Sequence, residues 1–344
     1  MIENIIFYGY PFLISFVISI VVCFIFIKLH KKYNINYNRS SDRHIHKKNI
    51  SRFGGVAIII SVVATLFLNK YLVFDNLVWI IVLGGLVMLL VGIFDDIKQL
   101  SWKSQIFIQI ALTLSIFILG IRVKFITNPF GGVIEFTDSM FGVGLIFMII
   151  WMLVIINSIN WSDGMDGLAG GIVVIAAVSI FIISLQEQVN QPPIAIMAII
   201  LAGSVIGFLM FNLPQAQIFA GSSGAFFMGF VIAVLSIAAG VKIGTTLLVL
   251  AVPLVDAMWV IVNRFKDGKS IFGSDRTHLH HRLLDIGWSE YNIIALYYVI
   301  TISSATIAII TQSIEKIVAL GILYVILVLF FVLLAYGKKK KYSI

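Results

Sequence analysis

The sequence predicts an all-α polytopic membrane protein with about eleven transmembrane helices. Of its 344 residues, 60% are hydrophobic and only 12% are charged, whereas a soluble domain has about 45–50% apolar and about 25% charged residues. Eleven apolar stretches approach the ~20 residues that cross a bilayer. They run over residues 6–27, 54–73, 77–94, 104–121, 141–159, 168–185, 193–211, 223–239, 243–263, 291–311 and 316–336. This pattern excludes a soluble enzyme, a disordered chain and a fibrous protein.

The first stretch is predicted to be an uncleaved helix. Its apolar run is too long for a signal peptide, Glu3 precedes it without any Lys or Arg, and no small-residue cleavage site follows. The single cysteine, Cys23, lies within this stretch and excludes an intrachain disulfide. No long linker, low-complexity segment or repeat divides the chain, so residues 1–344 are predicted to form one domain.

The basic residues predict the orientation. Nineteen of the 24 Lys and Arg residues fall in the loops 28–53, 95–103 and 264–290 and in the tail Lys338–Lys341. The positive-inside rule makes that side cytoplasmic, with the N-terminus outside and the C-terminus inside. The net charge of +8 is then explained by the basic loops on the cytoplasmic side. It does not indicate nucleic acid, and no nucleic-acid partner is expected. Alternating residues around a Pro-Phe-Gly-Gly turn predict a small external β-hairpin near 123–137.

Residues that carry chemistry concentrate on the predicted cytoplasmic face. All six histidines lie on segments assigned to that side: His30, His44, His46, His278, His280 and His281. Acidic residues at helix ends cluster there as well. We therefore expect the functional site to face the cytoplasm.

Asp95 and Asp96 form an acidic pair at the end of the third apolar stretch. Two adjacent carboxylates repel each other and the negative end of the helix dipole, so a cation must hold them ionised or one pKa must rise. Lys98 or Mg²⁺ could supply the charge, since Mg²⁺ binds one or two carboxylates plus substrate phosphates. The alternative is a solvated helix end at the membrane boundary.

Polar residues recur at every third position from Asn157 through Asn160 and Asp163 to Asp166. On a helix this spacing places them along one side, and the glycines that follow favour a break where backbone can approach a ligand. Such a ridge suits a nucleotide and a metal, the alternative being a polar loop rich in turn residues. Separately, Asp256 inside an apolar run is a functional candidate because a carboxylate is costly there.

Two groups of basic residues are candidates for binding an anion. The first group follows the ninth apolar stretch, and the second group precedes the second apolar stretch. The first group contains three histidines beside three arginines, and phosphate binding is favoured over zinc because no cysteine ligand is available. The alternatives are a solvated basic loop and, for the second group, attraction to anionic lipid. The candidates are Arg264, Arg276, His278, His280, His281 and Arg282 in the first group, and Arg43, His46 and Arg52 in the second.

The stretch from Phe219 to Ala225 opens the eighth helix with small residues. Its free N–H groups could bind phosphate, or its small side chains could serve helix packing. Together, the loops 28–53, 95–103, 157–168, 212–222 and 264–290 are predicted to form one site. Carboxylates, cations and a lipid boundary indicate phosphoryl transfer between a soluble nucleotide donor and a lipid phosphate.

These motifs resemble those of the polyprenyl-phosphate N-acetylhexosamine-1-phosphate transferase superfamily, glycosyltransferase family 4. Asn157 to Gly171 is similar to the family's Asn-x-x-Asn-x-x-Asp-Gly-x-Asp-Gly-Leu-Ala-Gly-Gly motif, and Asp95-Asp96 to its paired aspartates. Arg43 to Gly55 and Pro253 to Asp256 match further motifs. Asp275 to Leu283 resembles the bacterial branch that makes undecaprenyl-diphospho-GlcNAc.

The resemblance implies a multi-pass enzyme of the bacterial inner membrane whose site faces the cytoplasm. It would transfer N-acetylhexosamine-1-phosphate from a UDP-sugar to undecaprenyl phosphate, release UMP, use Mg²⁺ or alternatively Mn²⁺, and be compatible with a homodimer. Asp95, Asp96, Asp163 and His280 would be catalytic, and Asp95, Asp96 and the position of Ser222 would hold the metal. Substrate would contact Arg43, His46, Arg52, Asn157, Asn160, Asp166, Asp256, Arg264, Arg276, His278, His281 and Arg282.

One residue departs from the family pattern. Where the family has a metal-binding aspartate at the eighth helix, this chain has Ser222, a weak neutral ligand for a hard ion that prefers carboxylate and water. A slower enzyme, a non-catalytic homologue that binds lipid phosphate or UDP-sugar, and an engineered change all stay open. Two further alternatives are a phospho-MurNAc-pentapeptide transferase and a secondary transporter that uses Asp166 and Asp256.

Overall fold

The computed structural model describes residues 2–33, 50–123, 125–127, 132–137, 140–239, 243–268, 277–311 and 313–341, and helices dominate these residues. The first part of the chain comprises α1 (Ile2–Tyr33), α2 (Gly54–Leu68), α3 (Asn76–Lys98), α4 (Trp102–Ile118), β1 (Phe125–Thr127), β2 (Val133–Glu135) and α5 (Phe141–Ser162). The second part comprises α6 (Leu168–Ser184), α7 (Pro192–Asn212), α8 (Gly221–Ala238), α9 (Ile243–Val249), α10 (Ala251–Lys266), α11 (Leu279–Asp285), α12 (Glu290–Ile310) and α13 (Ser313–Lys341).

The helices are those of an integral membrane protein. Within the described residues, seven helices are long and apolar enough to cross a bilayer, or eight if the bent pair α9–α10 counts as one span. The apolar helices α2, α4 and α6 are shorter, at 15, 17 and 17 residues. The all-α membrane class is therefore confirmed, while the count of eleven spans and the side of each terminus stay predictions.

Helix α8 forms the centre of the bundle. Every residue from Ser223 to Ile237 is buried, which is the environment expected of a helix that is apolar on all sides. Helices α3 and α5 pack along it, and the indole Nε1 of Trp151 in α5 donates to the carbonyl oxygen of Ala233 at 3.2 Å. Because α8 is held from several sides, its N-terminus is a fixed point of the structure.

The stretch predicted to span the membrane over 243–263 is not one straight helix, because the chain breaks into α9 and α10 at Leu250 with a bend of 76°. Pro253 explains the break. It has no N–H to donate to the carbonyl of Val249, and its ring excludes that carbonyl from the helical position. The break leaves Asp256 near the start of α10, where its carboxylate can reach the N-terminus of α11.

The two short strands pair antiparallel, with Ile126 opposite Ile134. They occupy the position of the predicted hairpin, although residues 128–131 of its turn lie outside the described part. The assignment of this hairpin to the external side stays a prediction.

Candidate functional site

The acidic pair lies at the end of α3 with both side chains buried, Asp95 at 8% and Asp96 at 7% exposure. Gln99 ends the helix in the left-handed conformation, with φ of 52°, and turns the chain back over the pair. Asp95 Oδ1 then accepts from the backbone N–H of Leu100 at 3.0 Å. The carboxylates therefore face inwards at a helix end. The alternative interpretation required a solvated helix end, and these carboxylates are not solvated.

The N-terminus of α8 meets both carboxylates. The backbone N–H groups of Ser222 and Ser223 donate to Asp96 at 3.2 and 3.4 Å, and the Ser222 hydroxyl donates to Asp95 Oδ2 at 2.5 Å. A carboxylate is stabilised at this position because the N–H groups and the helix dipole present positive charge. These two N–H groups therefore bind a protein carboxylate. The small-residue interpretation also fits, since a Cβ at Gly92 would overlap the backbone of Ser223.

Arg52 reaches the same point from the segment before α2. Its guanidinium Nη1 lies 3.7 Å from Asp96 Oδ1. Backbone hydrogen bonds fix the approach, because Phe219 N–H donates to the Ser51 carbonyl at 2.8 Å and Gly54 N–H donates to the Phe219 carbonyl at 2.9 Å. The starts of α2 and α8 are therefore joined directly beside the acidic pair.

The polar ridge predicted over 157–166 is only partly helical. Helix α5 ends at Ser162, so Asn157 and Asn160 lie on it, whereas Asp163 caps it and Asp166 lies in the turn before α6. The prediction of four side chains on one helix face is therefore wrong beyond Asn160. The glycine break is confirmed, because Gly167 has φ of +73° and directly precedes α6.

The turn that carries Asp163 and Asp166 is held against the segment before α8. Asp166 Oδ2 accepts from the Ala216 N–H at 3.0 Å. Asn212 uses both ends of its amide here. Its Oδ1 accepts from the Gly167 N–H at 3.0 Å, and its Nδ2 donates to the Ile218 carbonyl at 2.8 Å. Asp166 is thus a structural anchor of the site.

Asp163 lies just beyond the end of α5 and faces the other acidic groups. Burial raises the pKa of this carboxyl well above its ordinary value, and the negative charges of Asp96 and Asp166 raise it further while Arg52 lowers it. The same interactions show that Asp163 lies within electrostatic range of Asp96 and Arg52.

Helix α11 brings the histidines to the site, and the break at Pro253 makes this possible. Asp256 accepts from the Leu279 N–H at 2.8 Å and lies 3.0 Å from His278 Nδ1. Its carboxylate therefore binds the first turn of α11 and orients the imidazole of His278. This contact assigns a local role to the intramembrane carboxylate that the sequence marked as unusual.

His280 lies over the turn after α5. It is 1% exposed, and a Cβ at Gly164 would lie 2.7 Å from its Nε2, so only glycine leaves room for the ring. Burial lowers the pKa of His280 well below the ordinary histidine value, and the neighbouring His281 and His278 lower it further. His280 therefore lies against Gly164 in the turn after α5, and its lowered pKa favours the neutral imidazole.

The basic candidates divide into those that the structure describes and those that it does not. Arg264 is buried in the last turn of α10 at 7% exposure. Arg282 donates from Nε to the Thr277 carbonyl at 2.7 Å and lies over the Trp259 ring at 5.7 Å. Arg43, His46 and Arg276 lie outside the described residues.

Comparison with known proteins identifies the family. The family model described as glycosyl transferase family 4 matches residues 78–240. The decaprenyl-phosphate N-acetylglucosaminephosphotransferase of Mycobacterium leprae is 32% identical over 292 residues, covering 75% of this chain and 72% of that protein. This chain belongs to glycosyl transferase family 4.

Two further family 4 relatives cover more of the chain. The probable undecaprenyl-phosphate N-acetylglucosaminyl 1-phosphate transferase of Bacillus subtilis is 29% identical over 327 residues, covering 92% of this chain and 89% of that protein. The phospho-N-acetylmuramoyl-pentapeptide-transferase of Clostridioides difficile is 26% identical over 323 residues, with coverage of 88% and 96%. The chain is thus similar to these enzymes over nearly its whole length.

A divalent cation fits the donor chemistry of this family 4 site. Among the residues that the structure describes, no group of three or more His, Cys, Asp or Glu side chains is placed to hold a metal ion. Mg²⁺ commonly takes only one or two carboxylates and completes its shell with water and substrate phosphates. The adjacent carboxylates of Asp95 and Asp96 satisfy that requirement.

Several residues that build the site gave little sequence signal. Asn212, Gln105 and Tyr298 bind site backbone or carboxylates, with Tyr298 Oη donating to the Gly167 carbonyl at 2.6 Å. Gln109 is different, because a polar residue in the middle of the short apolar helix α4 is unusual. That signal was present in the sequence, but its partner on another helix could only be identified from the structure.

Proposed function

We propose that this chain transfers GlcNAc-1-phosphate from UDP-GlcNAc to undecaprenyl phosphate and releases UMP. The reaction would take place at the cytoplasmic face of the bacterial inner membrane and begin the membrane stage of cell-envelope glycan synthesis. Support comes from the relatives in Bacillus subtilis and Mycobacterium leprae, whose names specify a polyprenyl phosphate and an N-acetylglucosaminyl phosphate group.

One observation carries the proposal: segments far apart in the sequence converge on the acidic pair. Arg52 and Ser222 contact Asp96, Asp163 lies within electrostatic range of both Asp96 and Arg52, and His280 lies over Gly164 beside Asp163. Phosphoryl transfer depends mainly on positioning and charge stabilisation. A fixed cluster of carboxylates, an arginine and a buried imidazole at helix ends provides both.

In the proposed reaction, a phosphate oxygen of undecaprenyl phosphate forms a bond to the β-phosphorus of UDP-GlcNAc. The bond from that phosphorus to the oxygen bridging the two donor phosphates breaks, and UMP leaves with the bridging oxygen. Asp95 would position the attacking phosphate or accept its proton. Asp95 and Asp96 would hold Mg²⁺, with Mn²⁺ as the alternative ion, and the cation would offset charge on the phosphoryl group.

The remaining candidates would bind the donor. Asn157, Asn160 and Asp163 would contact the nucleotide, while Asp166 and Asp256 would hold the two turns that present it. The cations would bind the pyrophosphate and the sugar, since charge-assisted hydrogen bonds to phosphate are strong. This group comprises Arg264, His278, His280, His281 and Arg282, with Arg43, His46, Arg52 and Arg276 completing the substrate contacts from the two basic loops.

A second candidate function rests on Ser222. Ser222 stands at the position where the family pattern has a metal-binding aspartate, and its hydroxyl donates to Asp95. A chain with one carboxylate fewer could bind lipid phosphate or UDP-sugar without transferring the group. The pentapeptide-transferase alternative has less support, because that relative is 26% identical whereas the two GlcNAc relatives are 29% and 32% identical.

The test is UMP release by the purified chain in nanodiscs with UDP-GlcNAc, undecaprenyl phosphate and Mg²⁺. We expect release that requires all three components and is lost in Asp95→Asn, which keeps the size of the side chain but removes its charge. Omission of the lipid phosphate is the control for donor hydrolysis. Tight binding of UDP-GlcNAc without UMP release would favour the non-catalytic homologue, and activity only with a UDP-MurNAc-pentapeptide donor would favour the pentapeptide-transferase alternative.

A further inference from the structure

Helix α4 carries two glutamines one turn apart, Gln105 and Gln109. Residues four apart lie on the same helix face, and this face packs against α5. Gln109 is 1% exposed, and Gln105 is half-buried. Burying an amide is costly unless it is hydrogen-bonded, so the partners of these two side chains indicate what the helix does.

Gln109 binds the first asparagine of the site motif. Asn157 Nδ2 donates to Gln109 Oε1 at 2.8 Å and to the carbonyl of Leu153 at 2.7 Å. An amide has two N–H donors, so these two bonds use both. Among the described residues, Asn157 Oδ1 accepts no hydrogen bond, so the amide is fixed with this oxygen left available as an acceptor.

The orientation of Gln109 itself follows from this geometry. Its Nε2 is buried without a hydrogen-bond partner among the described residues. Rotating the amide by half a turn would set that donor against the Nδ2 donor of Asn157, which is unfavourable. Gln109 therefore leaves a buried donor unsatisfied while it presents an acceptor to Asn157. This cost in free energy is explained if the protein needs Asn157 in this orientation.

Gln105 binds the other motif. Its Nε2 donates to Asp95 Oδ1 at 2.9 Å and to the Leu100 carbonyl at 3.3 Å. The Ser222 hydroxyl occupies the opposite carboxylate oxygen, Oδ2. The carboxylate of Asp95 is thus held at both oxygens, and α4 supplies a side-chain contact to Oδ1 beside the Leu100 N–H.

We propose that Gln105 and Gln109 are positioning residues, which hold Asp95 and Asn157 in the orientations that the transfer reaction needs. Gln109 presents Asn157 Oδ1 to a donor group of the nucleotide sugar, and Gln105 fixes the plane of the Asp95 carboxylate toward the lipid phosphate. This inference rests on the proposed function. It assigns α4 a role in the reaction through contacts with two separate motifs.

The test separates substrate binding from turnover. Gln109→Leu is expected to raise the KM for UDP-GlcNAc roughly tenfold with little change in kcat, because a freely rotating Asn157 loses donor binding. Gln105→Leu is expected to lower kcat roughly tenfold with little change in that KM, because Asp95 acts in the reaction step. Gln109→Glu keeps the acceptor oxygen and should restore the KM.

Thr113→Val is the matched control. Thr113 lies one turn further along the same buried face, and its hydroxyl donates only to the Gln109 carbonyl within the helix. The dissociation constant of UDP-GlcNAc, measured by calorimetry for each variant, supplies a readout that does not need turnover. Equal effects of Thr113→Val and Gln109→Leu, or no rescue by Gln109→Glu, would overturn the positioning role.

The same measurements distinguish this inference from the proposed function. An active chain in which both leucine variants keep their KM and kcat overturns the inference alone. A chain that neither releases UMP nor binds UDP-GlcNAc overturns the proposed function and the inference with it. If the unaltered chain binds UDP-GlcNAc but does not release UMP, a roughly tenfold weaker dissociation constant in Gln109→Leu still supports the role of Gln109, and an unchanged constant contradicts it.

Discussion

At the residue scale, Ser222 is the position where this chain departs most from its family pattern. The structure gives the serine a local role, because its hydroxyl and its N–H bind the two carboxylates of the acidic pair. A hydroxyl donates to a carboxylate without adding charge. The acidic pair is therefore stabilised within the protein, while the proposed cation site has one carboxylate fewer than the pattern.

Replacing this serine by aspartate tests its effect on metal binding. In Ser222→Asp a third carboxylate joins Asp95 and Asp96, so we expect half-maximal UMP release at a roughly tenfold lower Mg²⁺ concentration. Mg²⁺ should also raise the Tm of Ser222→Asp more than that of the unaltered chain, since ligand binding stabilises the folded state. Ser222→Asn is the control of equal size without charge, and an equal shift in that variant would contradict the electrostatic explanation.

The pH profile tests the neutral state of His280. Burial and two neighbouring imidazoles lower its pKa, so protonation in the folded protein requires a more acidic solution than for a free histidine, whose pKa is ~6.5. If catalysis uses neutral His280, kcat/KM should stay level as the pH falls through that value and decrease only below it. A decrease centred near the free-histidine value that is absent in His280→Gln would show that this pKa is not lowered.

At the element scale, helix ends create the site and close packing fixes them. Helices α3 and α8 meet at Gly92, where a side chain would overlap the backbone of Ser223. The acidic pair lies one turn further along α3. The distance between the carboxylates and the N-terminus of α8 therefore depends on the absence of a side chain at Gly92.

Gly92→Ala tests this close approach. We expect a lower Tm, corresponding to a destabilisation of about 1–3 kcal/mol, because extra volume at a tight contact forces the helices apart. Activity should fall as well, because α8 would move away from Asp96. Gly321→Ala is the matched control, since Gly321 also lies inside a helix but nothing lies within 4 Å of its added Cβ. A similar decrease in both variants would show that the close contact with Ser223 is not the cause, because Ala by itself favours a helix over Gly.

The sequence predicted helices well where a long run of apolar residues was the only signal needed. The apolar stretch predicted over 168–185 corresponds to the helix α6 at Leu168–Ser184, because a long apolar run has few alternatives to a helix. It did not predict the bend within 243–263, where Pro253 breaks the helix although the hydropathy continues. The seven-residue helix α11 was also missed, because seven residues are too few to show a helical period and Asp256 binds its first turn from a distant segment.

At the scale of the whole molecule, the predicted orientation places the site in the cytoplasm. It depends on the excess of basic residues in alternate loops, which hold nineteen of the 24 Lys and Arg residues. The helices agree with a membrane protein but do not by themselves fix which side each loop faces. The orientation matters because the UDP-sugar donor would have to reach the site from the cytoplasm.

Cysteine labelling tests this orientation. In a Cys23→Ala background, which removes the only native cysteine, single cysteines at Lys70 and Lys98 report on opposite predicted sides. In cells with a permeable outer envelope, an impermeant maleimide should label Lys70→Cys and leave Lys98→Cys unlabelled until the inner membrane is opened. The reverse result would invert the topology and exclude a cytoplasmic site.

The composition of the site could be predicted from the sequence, but its connections could not. The acidic pair, the Asn157–Asp166 motif and the histidines stood out because charge and polarity are costly near a bilayer. Asp166 anchors a turn and Asn212 bridges two loops. Both roles depend on contacts between segments roughly fifty residues apart in sequence. A single sequence contains no information about such pairings until the fold brings the segments together.

The most direct test of the central claim follows the phosphorus atom. UDP-GlcNAc with radioactive phosphorus only at the β-phosphate is incubated with the chain in nanodiscs, undecaprenyl phosphate and Mg²⁺. Transfer of sugar-1-phosphate predicts radioactivity in the lipid fraction, in equal amount to the GlcNAc recovered there, and unlabelled UMP in solution. Recovery of the label as UDP in solution, with GlcNAc in the lipid, would mean transfer of the sugar alone and would contradict the account.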